Sequence, residues 1–167
     1  METIRRGCFE TNSSSTHSLS FNRDTSDYLS KSKTLVVDFI NTDDETVFNT
    51  LKGKVSYLVS QIINNYQYDV FDYEDLKEQV ENDRDFIRIR NYVKEHFDKD
   101  VVLPKNHPVK TFTDEDGETY TDISDLVNIN HQIRFKFLND CLQDIVGEQD
   151  LLGIVLSPEN NIEIGRD

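Results

Sequence analysis

Residues 34–66 read TLVVDFINTDDETVFNTLKGKVSYLVSQIINNY, and this stretch decides the fold class of the chain. Residues 34–40 are mostly apolar and β-branched, which predicts a buried strand. A helix is predicted to begin at Thr42, because Thr42 and Glu45 form a capping box. Its apolar face, spaced at three and four residues, comprises Val47, Leu51, Val55, Leu58, Val59, Ile62, Ile63 and Tyr66. A strand followed by an amphipathic helix of about five turns indicates helices packed on a sheet.

A second helical segment is predicted at residues 72–97. Asp72 is suited to cap its start, and apolar residues recur beyond it at helical spacing. Residues 81–85 are very polar, so the segment is expected to divide into two shorter helices. Residues 101–103 predict a short strand, which Pro104 ends.

The rest of the second half is predicted to alternate hairpins with one helix. Residues 111–121 predict a hairpin with a type I′ turn at Asp116-Gly117. A third helix is predicted over residues 122–146, where apolar residues again repeat at helical spacing. Residues 151–156 predict an apolar strand that forms a C-terminal hairpin with a last strand at residues 161–164.

The N-terminal segment completes the expected fold. Residues 3–9 predict an extended segment, and residues 18–21 alternate polar and apolar side chains, which predicts a strand that pairs with it. Strands at both ends with helices between them predict a single α+β domain over residues 1–167. Its mixed or antiparallel sheet would combine the N- and C-terminal strands, with about three helices packed on it.

The charge balance restricts the partners of the protein. The chain carries 32 acidic and 18 basic residues, a formal net charge of −14. Because phosphate backbones bind through Lys and Arg, this charge disfavours direct nucleic-acid binding. An acidic surface attracts basic proteins and speeds encounter with them.

Cysteine usage and hydropathy indicate the compartment. The two cysteines, Cys8 and Cys141, are far apart and have no metal-ligand spacing, which suits free thiols in a reducing compartment. The N-terminus lacks the apolar run of a signal peptide, and no segment approaches the ~20 apolar residues of a membrane span. The sequence predicts a cytoplasmic protein without a membrane contact, a metal or a cofactor.

A dense polar run, FETNSSSTHSL at residues 9–19, is the first candidate site. Under an enzymatic interpretation Glu10 is a general base, His17 an acid–base group and Ser14 a nucleophile, with His131 contributing a second imidazole. The structural alternative is that these hydroxyl and amide groups bond their own backbone in a turn, and that His131 packs beside the core. The run contains no glycine, so it matches neither a P-loop nor a dinucleotide fingerprint.

An acidic segment at residues 113–125 is the second candidate site. It contains no Lys or Arg, and its six acids are Asp114, Glu115, Asp116, Glu118, Asp122 and Asp125. It is not a calcium loop, because placing Gly117 at position six puts Phe112 at position one and Ile123 at position twelve. Together with Asp69, Asp72, Glu74, Asp75 and the acids of residues 140–150, these side chains would form a face that a basic groove accepts in place of DNA. The alternative is that the acids serve solubility.

Residues 6–18, RGCFETNSSSTHS, carry a family resemblance. They resemble the N-terminal signature of a family of small uncharacterised proteins from bacteriophages of Gram-positive hosts and related bacterial genomes. The usual form of that signature is GVFETNSSSTHS, and this chain has Cys8 where Val is common. The resemblance implies a phage or prophage context and the host-cell cytoplasm, and it implies no activity.

These observations support two main functional hypotheses. The first is a small acidic phage-type protein that binds and inhibits a basic nucleic-acid-binding protein of the host or of a defence system, as a DNA mimic. The second is a small hydrolase or transferase that acts on a nucleotide-like or phosphate-bearing ligand through residues 10–18. A third interpretation is an assembly module in which the serine run shapes a subunit interface.

Overall fold

A computed structural model describes residues 9–10, 15–21, 28–41, 46–70, 72–106, 110–113, 116–117, 119–122, 126–127 and 151–166. The strands are β1 (Phe9–Glu10), β2 (Ser15–Phe21), β3 (Thr34–Val36), β4 (Thr46–Phe48), β5 (Asp100–Val102), β6 (Lys110–Thr113), β7 (Thr119–Asp122) and β8 (Asn160–Arg166). The helices are α1 (Leu51–Tyr66), α2 (Tyr73–Asn82), α3 (Arg84–Phe97) and α4 (Leu151–Val155). The predicted α+β class is confirmed.

The main sheet joins the two ends of the chain. Its strand order is β1-β2-β8-β4, and each neighbouring pair is antiparallel. The predicted pairing of two N-terminal strands is confirmed only for Phe9, which is opposite His17, a residue of the polar run rather than of the predicted strand at residues 18–21. Residues 3–8 lie outside the described residues. The predicted combination of N- and C-terminal strands in one sheet is confirmed as well.

The predicted C-terminal hairpin is wrong. The first of its two segments forms the short helix α4, and β8 pairs with β2 and β4 instead. Leu152, Val155 and Leu156 are buried, and the Leu156 N–H donates to the Leu152 carbonyl at 2.8 Å. Burial at spacings of three and four is helical, and a short apolar run alone does not distinguish a helix from a strand.

The start of the first helix also differs from its prediction. Residues 46–48 form β4, in which Phe48 is buried and Val47 is 55% exposed. This alternation has the period of a strand, and β8 supplies the hydrogen-bonding partner for it. Helix α1 begins at Leu51, where the Thr50 hydroxyl accepts from the Gly53 N–H at 3.1 Å. The predicted capping box at residues 42–45 lies outside the described residues.

Two aspartates define the starts of α2 and α3, and the first of them, Asp72, was predicted to cap a helix. Asp72 caps α2 by accepting from the Asp75 N–H at 2.9 Å. Asp83 caps α3 by accepting from the N–H groups of Asp85 at 2.7 Å and Phe86 at 3.0 Å. The division of this segment into two helices is therefore confirmed, with Asp83 at the break.

A second, two-stranded parallel sheet is formed by β3 and β5, and its residues Leu35 and Val101 belong to the same buried core as α1. After β3 the chain continues beside the helix, where Ser56 Oγ accepts from the Asp38 N–H at 2.9 Å and Ser60 Oγ from the Ile40 N–H at 3.1 Å. Both serines are buried. Helix hydroxyl groups thus replace a neighbouring strand as hydrogen-bond acceptors along this segment.

The predicted hairpin is confirmed as the antiparallel pair of β6 and β7, but its turn is not of type I′. Thr113 is opposite Thr119, so residues 114–118 connect the strands rather than the two residues that a type I′ turn uses. Gly117 has a φ of +82°.

The predicted third helix does not begin at residue 122. Asp122 ends β7, and the buried residues Leu126 and Val127 are not helical. Asp122 pairs with Lys110 of β6, so the backbone is in an extended strand conformation through Asp122 and a helix cannot begin there. Residues 128–150 lie outside the described residues, and with them most of the predicted helix.

Candidate functional site

The strand register separates the two candidate catalytic residues of the polar run. Glu10 is opposite Thr16, whereas His17 is opposite both Phe9 and Ile164. Directly opposed residues of an antiparallel pair share a face, and successive residues alternate between faces. Glu10 and His17 therefore occupy opposite faces of the sheet.

Burial identifies the face that each position belongs to. Phe48 and Ile162 are opposite each other and buried, and Ile164 follows Ile162 by two residues, so His17 is on the core face. Val47 is exposed and opposite Glu163, which marks the outer face. Glu10 falls on this outer face by alternation.

The register places the positions of Glu10 and His17 on different faces of the sheet. The catalytic roles of Glu10 and His17 stay predictions. Ser14 and His131, the other two predicted catalytic residues, lie outside the described residues.

Exposed acids are concentrated on and around helix α2. The sequence from residue 69 to residue 83 contains seven acids and a single base, Lys77. The exposed acids are Asp69, Asp72, Glu74, Asp75, Glu78 and Glu81, and Asp83 is partly buried. Four of these, Asp69, Asp72, Glu74 and Asp75, belong to the acidic face that the sequence predicts, and they lie together at the start of α2. Below, "the acidic face" means the exposed acids of residues 72–83.

Two tyrosines beside this surface have raised pKa values. Burial raises the pKa of Tyr73 to about 12, and the charges of Glu74 and Glu81 add to the effect. A hydrogen bond to Asp83, together with burial, raises the pKa of Tyr66 to about 12. Both phenols stay protonated because ionisation would add charge beside carboxylates.

An open groove of about 630 Å³ lies beside the acidic face. It is lined by Tyr66, Asp75, Glu78, Gln79, Asn82 and Asp83. Tyr66 Oη donates to Asp83 Oδ2 at 2.8 Å, which orients the carboxylate that also caps α3. Burial, and then the charge of Asp83, raises the pKa of Asp85 just beyond the groove. Carboxylates and amide groups at this density favour Lys and Arg side chains as ligands.

The second predicted acidic segment is described only in part. Asp116 is exposed in the connection between β6 and β7, and Asp122 is opposite Lys110 at the end of the hairpin. Asp114, Glu115, Glu118 and Asp125 lie outside the described residues, as do the acids of residues 140–150. The acidic face on α2 is therefore the part of the predicted charged surface whose geometry is known.

The burial of Lys54 was not predicted from the sequence. Lys54 is fully buried in α1, and its Nζ donates to the carbonyls of Ser157, at 2.6 Å, and Asn160. The ammonium also lies 4.9 Å from the centre of the Tyr28 ring, whose hydroxyl donates to the Leu156 carbonyl. Burial lowers the pKa of Lys54 to about 8.

The position of Lys54 carries a sequence signal that could have identified it. Lys54 lies three residues after Leu51 and four before Leu58, which is a core position of the helix. Its contacts bind α1 to the chain that follows α4, so Lys54 has a structural role. Lys99 is also buried, and it similarly donates to the carbonyls of Ser30 and Ser32 at 2.7 and 2.6 Å.

Among the described residues, no group of three or more His, Cys, Asp or Glu side chains is arranged to hold a metal ion. No helix in the described ranges is long and apolar enough to cross a membrane. Comparison of the chain with protein-family models, curated proteins and solved structures gave no match.

Proposed function

We propose that this protein binds a basic nucleic-acid-binding protein through the acidic face and blocks its nucleic-acid groove as a DNA mimic. The spacing of the carboxylates on α2 carries this proposal. Five exposed acids, Asp72, Glu74, Asp75, Glu78 and Glu81, fall within ten residues.

The spacing of these acids along the helix resembles that of phosphates along DNA. At 1.5 Å per residue the segment from Asp72 to Glu81 is about 14 Å long, which gives one carboxylate for about every 3 Å of axis. One strand of B-DNA carries a phosphate for about every 3.4 Å of axis. A groove whose Lys and Arg side chains track a phosphate backbone would meet carboxylates at a similar linear density.

The rest of the molecule supports the same kind of partner. The net charge of −14 repels nucleic acid and accelerates encounter with basic proteins. The resemblance of residues 6–18 to phage proteins supports a target in the bacterial host, either a host protein or a defence protein in the host cytoplasm. Because carboxylates replace phosphates, the complex would weaken as salt increases.

Affinity capture from a bacterial lysate with two matched variants tests this proposal. Glu74→Gln with Glu78→Gln removes two charges from the acidic face, whereas Glu95→Gln with Glu159→Gln removes two exposed charges elsewhere. We expect the wild type and the second variant to retain nucleic-acid-binding proteins that elute with salt or with duplex DNA. We expect the first variant to lose them.

Two results would reject the proposal. One is that the captured proteins do not bind nucleic acid. The other is that both variants capture the same proteins equally well, because the contact would then not involve α2.

A further inference from the structure

Tyr68 is the most exposed large apolar side chain among the residues whose exposure the structure describes. It is 66% exposed, whereas Tyr28, Tyr57 and Tyr73 are buried. Within that part of the chain its side chain makes no hydrogen bond, ion pair or ring contact. A single exposed aromatic residue is ordinary by itself. Tyr68 differs from that ordinary case in the backbone that presents it and in the charges around it.

The turn that carries Tyr68 is anchored on both sides. After it, the Asp69 N–H donates to the Tyr66 carbonyl at 2.9 Å, which closes the turn at the end of α1. Before it, the buried Gln67 amide donates to the Val127 carbonyl at 2.9 Å and accepts from the Val127 N–H at 3.2 Å. The backbone at Tyr68 is therefore fixed before any partner binds. Binding to its ring then costs little conformational entropy, because a tyrosine side chain has only two rotatable χ angles.

This turn borders the groove beside the acidic face. Tyr66, two residues before Tyr68, lines the groove, and two residues span at most about 7 Å between Cα atoms. On the other side of Tyr68, the exposed Asp69 follows directly, and the acidic face begins at Asp72. The position of Tyr68 is therefore at the edge of the groove and at the start of the acidic face.

The carboxylates of the acidic face form no ion pair with the described residues. The ion pairs of the described ranges use other acids, namely Asp38, Asp85, Asp98 and Asp100. Exposed carboxylates without a base, next to an aromatic ring without a partner, fit the chemistry of one side chain. The arginine guanidinium donates two parallel hydrogen bonds to a carboxylate and also stacks on an aromatic face. The lysine ammonium is a compact point charge that lacks this planar geometry.

We propose that the surface formed by Tyr68 and the acidic face selects arginine over lysine, and that one arginine of the partner stacks on the Tyr68 ring. This inference rests on the proposed function, because it specifies which side chains of a nucleic-acid groove the surface binds. Tyrosine and arginine are both enriched among the residues that dominate the binding energy of protein interfaces. Arginine is also over-represented where phosphates are recognised by paired hydrogen bonds. A groove that binds phosphates through arginines therefore presents the ligand that this surface fits.

Two peptides of equal charge, deca-arginine and deca-lysine, test this selectivity on the full-length protein. Isothermal titration calorimetry compares the wild type with Tyr68→Ala and with Tyr68→Phe, which keeps the ring. The control is Leu29→Ala, which shortens a side chain that is 49% exposed near the opposite end of α1, where the Tyr28 carbonyl accepts from the Leu51 N–H. We expect Tyr68→Ala to bind deca-arginine about three- to fivefold more weakly than the wild type and deca-lysine with nearly unchanged affinity. Tyr68→Phe and Leu29→Ala should bind both peptides like the wild type.

Equal affinity of the wild type and Tyr68→Ala for deca-arginine would overturn the inference, and so would an equal loss of affinity for both peptides. The variant Glu74→Gln with Glu78→Gln distinguishes this failure from failure of the proposed function. It should weaken the binding of both peptides, because it removes charge and leaves the ring in place. If it does so while Tyr68→Ala has no effect, the inference alone fails. If it binds both peptides as tightly as the wild type, the acidic face is not a site for basic ligands, and the proposed function fails as well.

Discussion

The buried Lys54 gives this protein a pH dependence of stability that is specific enough to measure. Burial lowers the pKa of Lys54 from 10.5 to about 8 in the folded state. Below pH 8 both the folded and the unfolded chain carry the charge, and the folded state bears a cost of about 3 kcal/mol for it. Between about pH 8 and 10.5 the unfolded chain binds the proton that the folded chain has lost. The free energy of unfolding therefore rises with pH in this window.

Integrating the proton difference gives a rise of about 2.5 kcal/mol between pH 7 and pH 10 from this group. The contacts of Lys54 persist through the change, because a neutral amine still donates two hydrogen bonds to the carbonyls of Ser157 and Asn160. Burial raises the pKa values of Tyr28 and Tyr57, so ionisation of the unfolded tyrosines reverses the trend above about pH 10.

The assay is urea denaturation of the wild type and of Lys54→Met between pH 7 and pH 10. The methionine variant does not titrate at this position, so subtraction isolates Lys54 from every other group. Lys31→Met, at an exposed lysine, controls for the loss of one positive charge. Between pH 7 and pH 10 the free energy of unfolding of the wild type should rise by about 2.5 kcal/mol relative to that of Lys54→Met. A difference that does not change with pH would refute the reasoning.

Three further perturbations test two sets of hydrogen bonds and one turn conformation that shape the fold. Replacing either Ser56 or Ser60 with Ala removes a partly buried hydrogen bond to a backbone N–H and should lower the free energy of unfolding in urea by about 1 kcal/mol. An unchanged midpoint would contradict this role. Asp83→Ala should lower the free energy of unfolding by about 1 to 2 kcal/mol, because it removes the N-cap of α3. The same variant should return the pKa of Tyr66 from about 12 toward the ordinary tyrosine value. The pKa is measured by the absorbance of tyrosinate, and an unchanged titration would exclude the hydrogen bond from Tyr66 to Asp83. Gly117→Ala should lower thermal stability by about 1 kcal/mol, because a Cβ disfavours the φ of +82°, and a neutral effect would mean that the turn readjusts.

Local polar signals made part of the fold predictable. Asp72 and Asp83 each place a carboxylate where a helix begins, and their side chains satisfy N–H groups that no helical carbonyl can reach. The alternation of residues 18–21 and 161–164 identified two strands of the main sheet. These features depend on neighbours in the sequence, and sequence reasoning captures such effects well.

The incorrect predictions concern segments whose structure depends on distant partners. Val47 and Phe48 fit a helical face as well as a strand, and the pairing of Phe48 with Ile162 decides between them. The apolar run at residues 151–156 fits a strand or a helix, and the strand position beside β8 is already occupied by β2 and β4. Lys54 was missed because a charged residue on an apolar face is normally expected at the surface.

The candidate sites also contain features that the sequence could predict and features that it could not. The acids at the start of α2 were predictable, because exposure follows from charge and helical spacing. The separation of Glu10 from His17 was not predictable, because it depends on the register between β1 and β2. One residue of register decides whether two side chains share a face.

The central claim is that the acidic face occupies the nucleic-acid groove of the partner. The most direct test is displacement of labelled duplex DNA from the purified captured partner by the wild type and by the variants Glu74→Gln with Glu78→Gln and Glu95→Gln with Glu159→Gln. We predict that the wild type and the Glu95/Glu159 variant displace the DNA at equal concentrations, whereas the Glu74/Glu78 variant requires about tenfold more. A ternary complex of partner, DNA and this protein, or equal displacement by all three proteins, would contradict the account.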